Sequence, residues 1–390
     1  MTAFRRTILP VLLGLTKRNC HRYMWLVANI FSFSLTACFG FEKARIGICH
    51  SLILLMTSLL LPGPAAAKPV ITPPSLIQLE SNIEAGKLGK IVSITVEQHG
   101  TIVYSRNFGK ADADTLHDIR SAGKSLTALA VGIAIDEGKL KSVDQKVWPL
   151  LGAPIDDPHN NITIRDLLTM SSALDCDDGN KRSPGQEERM YRTKVWREFA
   201  MDLPLADSYA RDDQGYGRWS YCTAGVFLLG QVVETATGER FDKFVQSRLF
   251  EPLEIKEVKW RTSKSGEIQS GGQLRMRAAD LVKIGRMVLD GGTWEGTQIV
   301  SENWIKQMLY PHRKLSNFVH YGYLWWFAPI NAPDGLQPSW YMQGNGGNMI
   351  AGFRKYDAVV VVQAANYNKP YASRHAFTIV EASLAHLFHP

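Results

Sequence analysis

Ser121 and Lys124 form the only S-x-x-K motif of the chain, and these two residue types at this spacing could carry out nucleophilic catalysis. Residues three apart on a helix share a face, so the hydroxyl and the amine would be neighbours. A serine hydroxyl needs an adjacent base, and a lysine amine can act as that base only when neutral, a form that burial favours. The alternative is a capping serine at the surface with a solvated lysine.

The position of this motif in the chain favours catalysis. Apolar residues recur at helical spacing after Ser121 and predict a helix from Ser121 to Glu137, with Gly138 as its C-terminal stop. The motif therefore stands at a helix start, where backbone N–H groups can stabilise a developing oxyanion.

Two further segments carry residue types that suit such a site. Tyr221 lies in the segment Trp219–Thr223, directly before an apolar helical stretch. The cluster Gly344–Asn348 precedes an apolar strand, where glycines let a substrate approach the backbone closely. Taken singly, a tyrosine before a helix is more often a packing residue, and a glycine-rich turn is usually only a turn.

The elements around these motifs predict an α+β fold, in which an antiparallel β-sheet is flanked by helices beside a helical and loop-rich subdomain. Alternation predicts a β-hairpin over 91–108 and two short strands within 349–363, so the sheet should join strands from both ends of the chain. Helical periodicity predicts further helices over 162–170, 224–236, 240–250, 278–290, 301–309 and 371–388. Residues 171–218 are polar and irregular, and a loop of this length is usually functional.

The first 67 residues differ from the rest in charge and hydropathy. They contain seven basic residues and one acid, which leaves residues 68–390 with a net charge of only +1. Residues 68–390 therefore show no basic excess of the kind that nucleic-acid-binding domains carry. An apolar run over 46–61 follows Lys43 and Arg45 and precedes Ala65–Ala67, as in a secretory signal peptide. We interpret residues 1–67 as a leader and residues 68–390 as one folded domain, which would be exported to the periplasm or secreted.

The leader has a second apolar stretch over 24–39, which includes a lipoprotein-like processing box at Cys38. Cleavage, lipidation and a retained anchor all remain open, so any membrane contact would be through the leader. Cys176 and Cys222 are the two cysteines outside it, and in an oxidising compartment they are candidates for a disulfide; two free thiols are the alternative. No cysteine or histidine spacing suggests a metal site, and we expect no cofactor.

Taken together and in this order, the three motifs resemble those of the serine β-lactamase and penicillin-binding superfamily. Its members carry S-x-x-K, then Y-x-N or S-x-N, then K-T-G or H-x-G. The resemblance extends over residues 78–388 and includes ITIRDLLTMSSALDC and YGYLWW. Within the superfamily the sequence is most similar to class C-type esterases and 6-aminohexanoate-dimer hydrolases.

This resemblance implies roles for individual residues. Ser121 would form the acyl-enzyme, Lys124 would accept its proton, and Tyr221 would move a proton to the leaving group and later activate water. The backbone amides of Ser121 and Asn348 would form the oxyanion hole. Substrate-binding positions would be Thr223, Asn345, Gly346 and Gly347.

Two departures from the family pattern bear on the substrate. Thr223 stands where relatives have Asn or Ser, and Asn345 stands where they have Lys or His, so the third motif lacks a cation. A carboxylate binds a cation more strongly than a neutral donor, so efficient action on penicillins is disfavoured. We expect a small-molecule ester or amide as substrate. The alternatives are a low-activity β-lactamase or DD-peptidase, and a catalytically silent binding or sensor domain.

Overall fold

The computed structural model describes residues 75–206 and 210–388, and all of these fall within the unit Ile71–Pro390. The predicted leader lies outside the described residues. Within those ranges, no helix combines the length and the apolar character needed to cross a bilayer.

Twelve strands are present in the described ranges, eight of which form one sheet. The strands are β1 Ile91–Gln98, β2 Thr101–Asn107, β3 His117–Asp118, β4 Arg275–Met276, β5 Thr293–Trp294, β6 Thr297–Gln298, β7 Arg313–Lys314, β8 His320–Tyr321, β9 Trp326–Ala332, β10 Gly335–Gly344, β11 Asn348–Phe353 and β12 Ala358–Ala364. The large sheet has the order β2-β1-β12-β11-β10-β9-β8-β7, and every neighbouring pair is antiparallel. The predicted pairing of strands from both chain ends is confirmed, because β1 lies beside β12.

The helices flank this sheet. They are α1 Leu76–Glu84, α2 Lys124–Asp136, α3 Val147–Leu150, α4 Ile164–Leu168, α5 Glu187–Arg192, α6 Trp196–Met201, α7 Thr223–Thr237, α8 Phe241–Val245, α9 Ala278–Leu289, α10 Glu302–Met308 and α11 Ala372–Phe388. Helix α8 continues as a π-helical turn, Gln246–Phe250. The predicted α+β class with an antiparallel sheet between helices is confirmed.

Strand β12 shows why the sheet has helices on both faces. Its residues are all buried, and all but Gln363 are apolar, as expected for a strand covered on two sides. Successive side chains point to opposite faces, so Val359 and Val361 join the core on one side while Val360 and Val362 join the core on the other. Helix α9 covers the first face, and α11 with α1 covers the second.

Two expectations about local structure are corrected. The stretch 171–218 is not wholly irregular, because α5 and α6 lie within it. Ser121 is not inside the predicted helix, because it lies in a 3₁₀ turn, Arg120–Gly123, and the α-helix begins at Lys124.

Candidate active site

The 3₁₀ turn presents Ser121 at the junction of the sheet and the helical region. Arg120 has a φ of 54°, a left-handed conformation that a non-glycine residue adopts only at an energetic cost. The Asp118 carboxylate accepts a hydrogen bond of 2.9 Å from the Arg120 N–H and supports this backbone. Ser121 remains half-buried while Ala122 and Gly123 behind it are buried, so its hydroxyl is accessible to a small molecule.

Lys124 is buried and lies directly beside the serine. Its Nζ is 3.1 Å from Ser121 Oγ, and it donates a hydrogen bond of 2.7 Å to the carbonyl oxygen of Gly271. The side chain is only 1% exposed, so water has little access to the amine. An amine held in this way can take the hydroxyl proton when Ser121 attacks a carbonyl carbon.

Gly272 allows the segment that holds Lys124 to lie against the nucleophile. A Cβ atom at this position would be 2.7 Å from the carbonyl oxygen of Arg120 and 3.3 Å from Ser121 Cα. Gly272 also has a φ of 137°, which side chains rarely permit. A larger residue would therefore push the Gly271 carbonyl away from Lys124.

Tyr221 completes the group that the sequence brings together. Its ring centroid is 5.1 Å from Lys124 Nζ, and its hydroxyl lies near enough to Ser121 for that side chain to influence its pKa. Burial raises the pKa of Tyr221 above its ordinary value, while the Lys124 charge and the Ser121 side chain oppose that shift. The phenol is therefore protonated at neutral pH and can donate its proton to a leaving group.

Asp178 is a functional candidate that the sequence interpretation missed. Its carboxylate accepts hydrogen bonds from the backbone N–H and the hydroxyl of Thr223, at 2.8 and 2.7 Å, and its own N–H donates to the carbonyl oxygen of Tyr221. Thr223, a predicted substrate-binding residue, thus has its hydroxyl directed to Asp178. Burial raises the pKa of Asp178 to about 6, and the Lys124 charge opposes the shift. Asp178 therefore holds the Tyr221 segment and places a titrating carboxyl near Lys124.

We expect kcat/KM for a neutral ester to rise as the pH increases through about 6, because ionised Asp178 then stabilises the ammonium that Lys124 becomes on accepting the proton. Asp178→Asn should remove this inflection and lower the plateau roughly tenfold. The measurement is a pH–rate profile under kcat/KM conditions. Asp177→Asn, one residue earlier, serves as the control and should keep the inflection. An unchanged profile in Asp178→Asn would assign the titration to another group.

A disulfide joins the loop that carries Asp178 to the segment that carries Tyr221. The sulfurs of Cys176 and Cys222 are 2.04 Å apart, and the Cα atoms are 5.3 Å apart, within the limit of about 7 Å that such a bond requires. Cys222 directly precedes α7 and Cys176 is two residues before Asp178. The pair of cysteines was the one feature of the sequence that could have placed Asp178 near Ser121.

The glycine cluster Gly344–Asn348 contacts the 3₁₀ turn Arg120–Gly123, called the nucleophile turn below, through Gly344. A Cβ atom there would lie 2.0 Å from the carbonyl oxygen of Ile119 and 3.2 Å from the amide nitrogen of Ala122, so only glycine lets the end of β10 approach. Gly346 and Gly347 face elsewhere: added Cβ atoms would contact the Tyr367 ring and the carbonyl oxygen of Ala372. The close approach thus lies at the first glycine of the cluster, one position before Asn345.

The two asparagines of this motif have different environments. Asn345 is exposed, and its side chain exchanges hydrogen bonds with Asn368, donating to Asn368 Oδ1 at 2.7 Å and accepting from its N–H at 2.9 Å. Asn348 is fully buried, and its amide group donates to the carbonyl oxygens of Asn345 and Asp118 and accepts from the N–H of Ala364. The Asn348 side chain therefore ties the turn to β12 and to the strand before Ser121. The role of its backbone amide in the oxyanion hole stays a prediction.

Across residues 75–206 and 210–388, no three or more His, Cys, Asp or Glu side chains are grouped so that they could hold a metal ion.

The model of one protein family, Beta-lactamase, matches residues 84–384. The chain belongs to the Beta-lactamase family. It is therefore related to a group of hydrolases, and the resemblance inferred from its motifs is confirmed.

Individual relatives of this Beta-lactamase family member are distant. It is 29% identical over 205 residues to a 6-aminohexanoate-dimer hydrolase from Paenarthrobacter ureafaciens, a match covering 50% of this chain and 51% of that protein. It thus spans about half the length of this curated relative. Among solved structures, an octameric penicillin-binding protein homologue from Pyrococcus abyssi has a TM-score of 0.63 at 21% identity, with 79% and 77% of the two chains covered. A D-stereospecific amidohydrolase from a Streptomyces species has a TM-score of 0.60 at 16% identity, with 80% and 99% covered. These structural likenesses show the fold.

Proposed function

We propose that this protein is a serine hydrolase that forms an acyl-enzyme at Ser121 and cleaves small esters or amides. The observation that carries the proposal is the separation of 3.1 Å between Lys124 Nζ and Ser121 Oγ inside a buried environment. A nucleophile beside its base is the basic arrangement of covalent hydrolysis. Fluorophosphonate labelling of the wild-type chain, followed by peptide mapping, tests this against a silent binding domain, which would take up no label at Ser121.

The reaction divides among three side chains. Ser121 Oγ bonds to the substrate carbonyl carbon while its proton passes to Lys124, and the carbonyl oxygen becomes an oxyanion facing backbone N–H groups. The Tyr221 phenol then protonates the leaving alkoxide or amine as the scissile bond breaks. The Tyr221 phenolate then takes a proton from water, and the resulting hydroxide attacks the acyl-enzyme carbonyl. The acid leaves as its bond to Ser121 Oγ breaks and Lys124 returns its proton to that oxygen.

The choice of small esters and amides rests on the site and on the relatives. Trp326 stacks on Tyr221 with ring centroids 6.0 Å apart, and the Trp219 ring centroid lies 6.1 Å from that of Tyr221. These aromatic rings beside the phenol suit an apolar group of the substrate. Exposed Asn345 contributes no charge to bind a penicillin carboxylate. Two of the relatives carry the names of amide-cleaving enzymes, a 6-aminohexanoate-dimer hydrolase and a D-stereospecific amidohydrolase.

We expect wild-type enzyme to hydrolyse p-nitrophenyl butyrate with a kcat/KM at least tenfold above that for nitrocefin, because a neutral Asn345 makes weaker hydrogen bonds to a carboxylate than a cation does. Asn345→Lys should gain roughly tenfold on nitrocefin. The measurement is a spectrophotometric comparison of both substrates, with a D-Ala-D-Ala peptide and a linear amide in the same panel.

The control for this variant is Asn368→Ala, which removes the side-chain oxygen that accepts a hydrogen bond from Asn345 without adding charge. A gain on nitrocefin in both variants would assign the effect to a loosened turn instead of to charge. A wild-type enzyme that already prefers nitrocefin would contradict the expected substrate class and favour the β-lactamase alternative.

We further propose that the mature enzyme is exported and begins near Lys68. The signal-like run ending at Ala65–Ala67 supports this, and so does a disulfide between the two cysteines outside the leader, a bond that persists in oxidising compartments. N-terminal sequencing of protein from its native host is the test, and a mature terminus at a lipidated Cys38 would overturn the cleavage site.

A further inference from the structure

A cavity of about 380 Å³ opens beside the nucleophile turn and is lined mainly by cations. Its charged wall residues are four bases and one acid: Arg120, Lys259, Arg261, Arg275 and Asp118. The formal charge of this cationic cavity is therefore strongly positive. A concave site lined by one sign of charge concentrates the opposite charge within it.

The cationic cavity adjoins the turn that carries Ser121, because Arg120 and Gln273 line it. Its wall residue Gln273 donates a backbone hydrogen bond of 3.2 Å to the carbonyl oxygen of Arg120, the residue before Ser121. The preceding residues of the same segment, Gly271 and Gly272, contact Lys124 and Ser121 respectively. A flexible substrate with its carbonyl at Ser121 could thus extend a polar group into this cavity.

Two of the four cations already have partners within the protein. The Arg120 guanidinium is 3.2 Å from the Asp118 carboxylate and lies over the Tyr367 ring at 4.3 Å. Arg261 lies over the Tyr191 ring at 4.0 Å and donates to the Gln273 side chain. These two side chains are positioned by the fold and form the fixed part of the wall.

The other two cations, Lys259 and Arg275, are placed side by side. Their backbones exchange hydrogen bonds of 2.9 and 3.1 Å as an antiparallel bridge, and both residues are exposed. Among the residues that the structure describes, neither has a carboxylate within 4 Å. Like charges directly opposite one another across paired strands destabilise the pairing. Asp118, which lies opposite Arg275 in the β3–β4 pair, offsets part of this repulsion, and a bound anion would relieve the rest.

We propose that the cationic cavity binds a carboxylate carried by the substrate, so that the enzyme acts on small esters or amides that bear an acidic group. This inference rests on the proposed hydrolase function and narrows its substrate class. Arginine presents a planar fork of donors that matches a carboxylate, and charge-assisted hydrogen bonds are about twice as strong as neutral ones.

The test uses two pairs of matched substrates on the full chain. The first pair places the charge on the acyl side: mono-p-nitrophenyl glutarate against its neutral amide, p-nitrophenyl glutaramate. The second places it on the leaving group: the pentanoate ester of 4-hydroxybenzoate against that of 4-hydroxybenzamide. We expect the acidic member of at least one pair to have a kcat/KM roughly tenfold higher, with a preference that falls as salt concentration rises. The pair that responds identifies which side of the scissile bond faces the cavity.

The variants then assign the preference to named residues. The double variant Lys259→Gln and Arg275→Gln should bring the acidic-to-neutral ratio close to one. Arg354→Gln, an exposed arginine outside the cationic cavity, is the matched control and should keep the wild-type ratio.

Equal rates within both pairs in the wild type, or a preference that survives in the double variant, would overturn the carboxylate assignment while leaving the hydrolase intact. Absence of turnover on all four esters together with absence of label at Ser121 would overturn the hydrolase function and this inference with it.

Discussion

Replacing Ser121 with alanine is expected to lower kcat for p-nitrophenyl ester hydrolysis by about 10⁴–10⁶-fold and to abolish fluorophosphonate labelling. The reason is that the proposed covalent bond forms at Ser121 Oγ. No other hydroxyl group of the described residues lies within hydrogen-bond distance of Lys124 Nζ, the proposed base. Lys124 reaches Ser121 Oγ at 3.1 Å, while its other partner is a backbone carbonyl. The measurement combines steady-state kinetics with intact-mass analysis after labelling.

Ser125→Ala is the matched control for this result. It removes a buried hydroxyl one turn further along α2, where the group donates to the carbonyl oxygen of Leu324 at 2.7 Å. We expect that variant to retain labelling and most of its turnover, with at most a modest loss of stability of about 1 kcal/mol. If Ser121→Ala hydrolysed the ester at the wild-type rate, the nucleophile assignment would be wrong.

Tyr221→Phe is expected to lower kcat/KM by roughly 10²–10⁴-fold, the range typical of a lost general acid or base. The protein should still take up the fluorophosphonate at Ser121, although more slowly, because Ser121 and Lys124 remain in place. Burial keeps the Tyr221 phenol protonated, so the variant loses a proton donor without losing a charge. The labelling rate and the turnover rate together separate loss of proton transfer from loss of structure.

Tyr321→Phe removes a phenolic hydroxyl from the neighbouring ring, which is more deeply buried than Tyr221, and is the matched control. Tyr321 is buried and packs edge-on against Trp326 at 4.7 Å, the same ring that stacks on Tyr221. Its turnover should stay within a fewfold of wild type, since no part of the mechanism uses this hydroxyl. Equal losses in the two variants would indicate that the aromatic cluster, not proton transfer, is what activity requires.

Elements with a strong local pattern were predictable. The β1–β2 hairpin follows from alternation about the His99–Gly100 turn, and α9 follows from apolar spacing that ends before Gly291. These patterns report which face is buried, and burial is the largest contribution to forming either element.

Elements that depend on distant partners were missed. No strand was predicted over 326–344, although β9 and β10 are interior strands of the sheet. Each contains a proline, Pro329 and Pro338, which lie opposite one another in the pairing, and proline ordinarily argues against an interior strand.

The start of helix α6 also depends on a residue that is distant in the sequence. The N–H groups of Trp196 and Arg197 at its start donate to the Glu267 carboxylate at 2.7 and 2.9 Å. The first N–H groups of a helix have no intrahelical partner and must find one elsewhere. Here the partner is about 70 residues away in the sequence, so no local capping signal exists.

The candidate active site likewise has some residues that the sequence predicted and others that only the tertiary structure brings together. The sequence by itself predicted that Ser121 and Lys124 are neighbours, because a separation of three residues at a helix start brings two side chains together whatever the rest of the fold does. Two cysteines outside the leader similarly allowed a single pairing. Only the tertiary structure decided that the Gly271 carbonyl orients Lys124, that Asp178 supports the Tyr221 segment, and that Lys259 and Arg275 stand beside the nucleophile turn. These groups come from segments far apart in the chain, and burial of the surrounding core, not sequence spacing, brings them together.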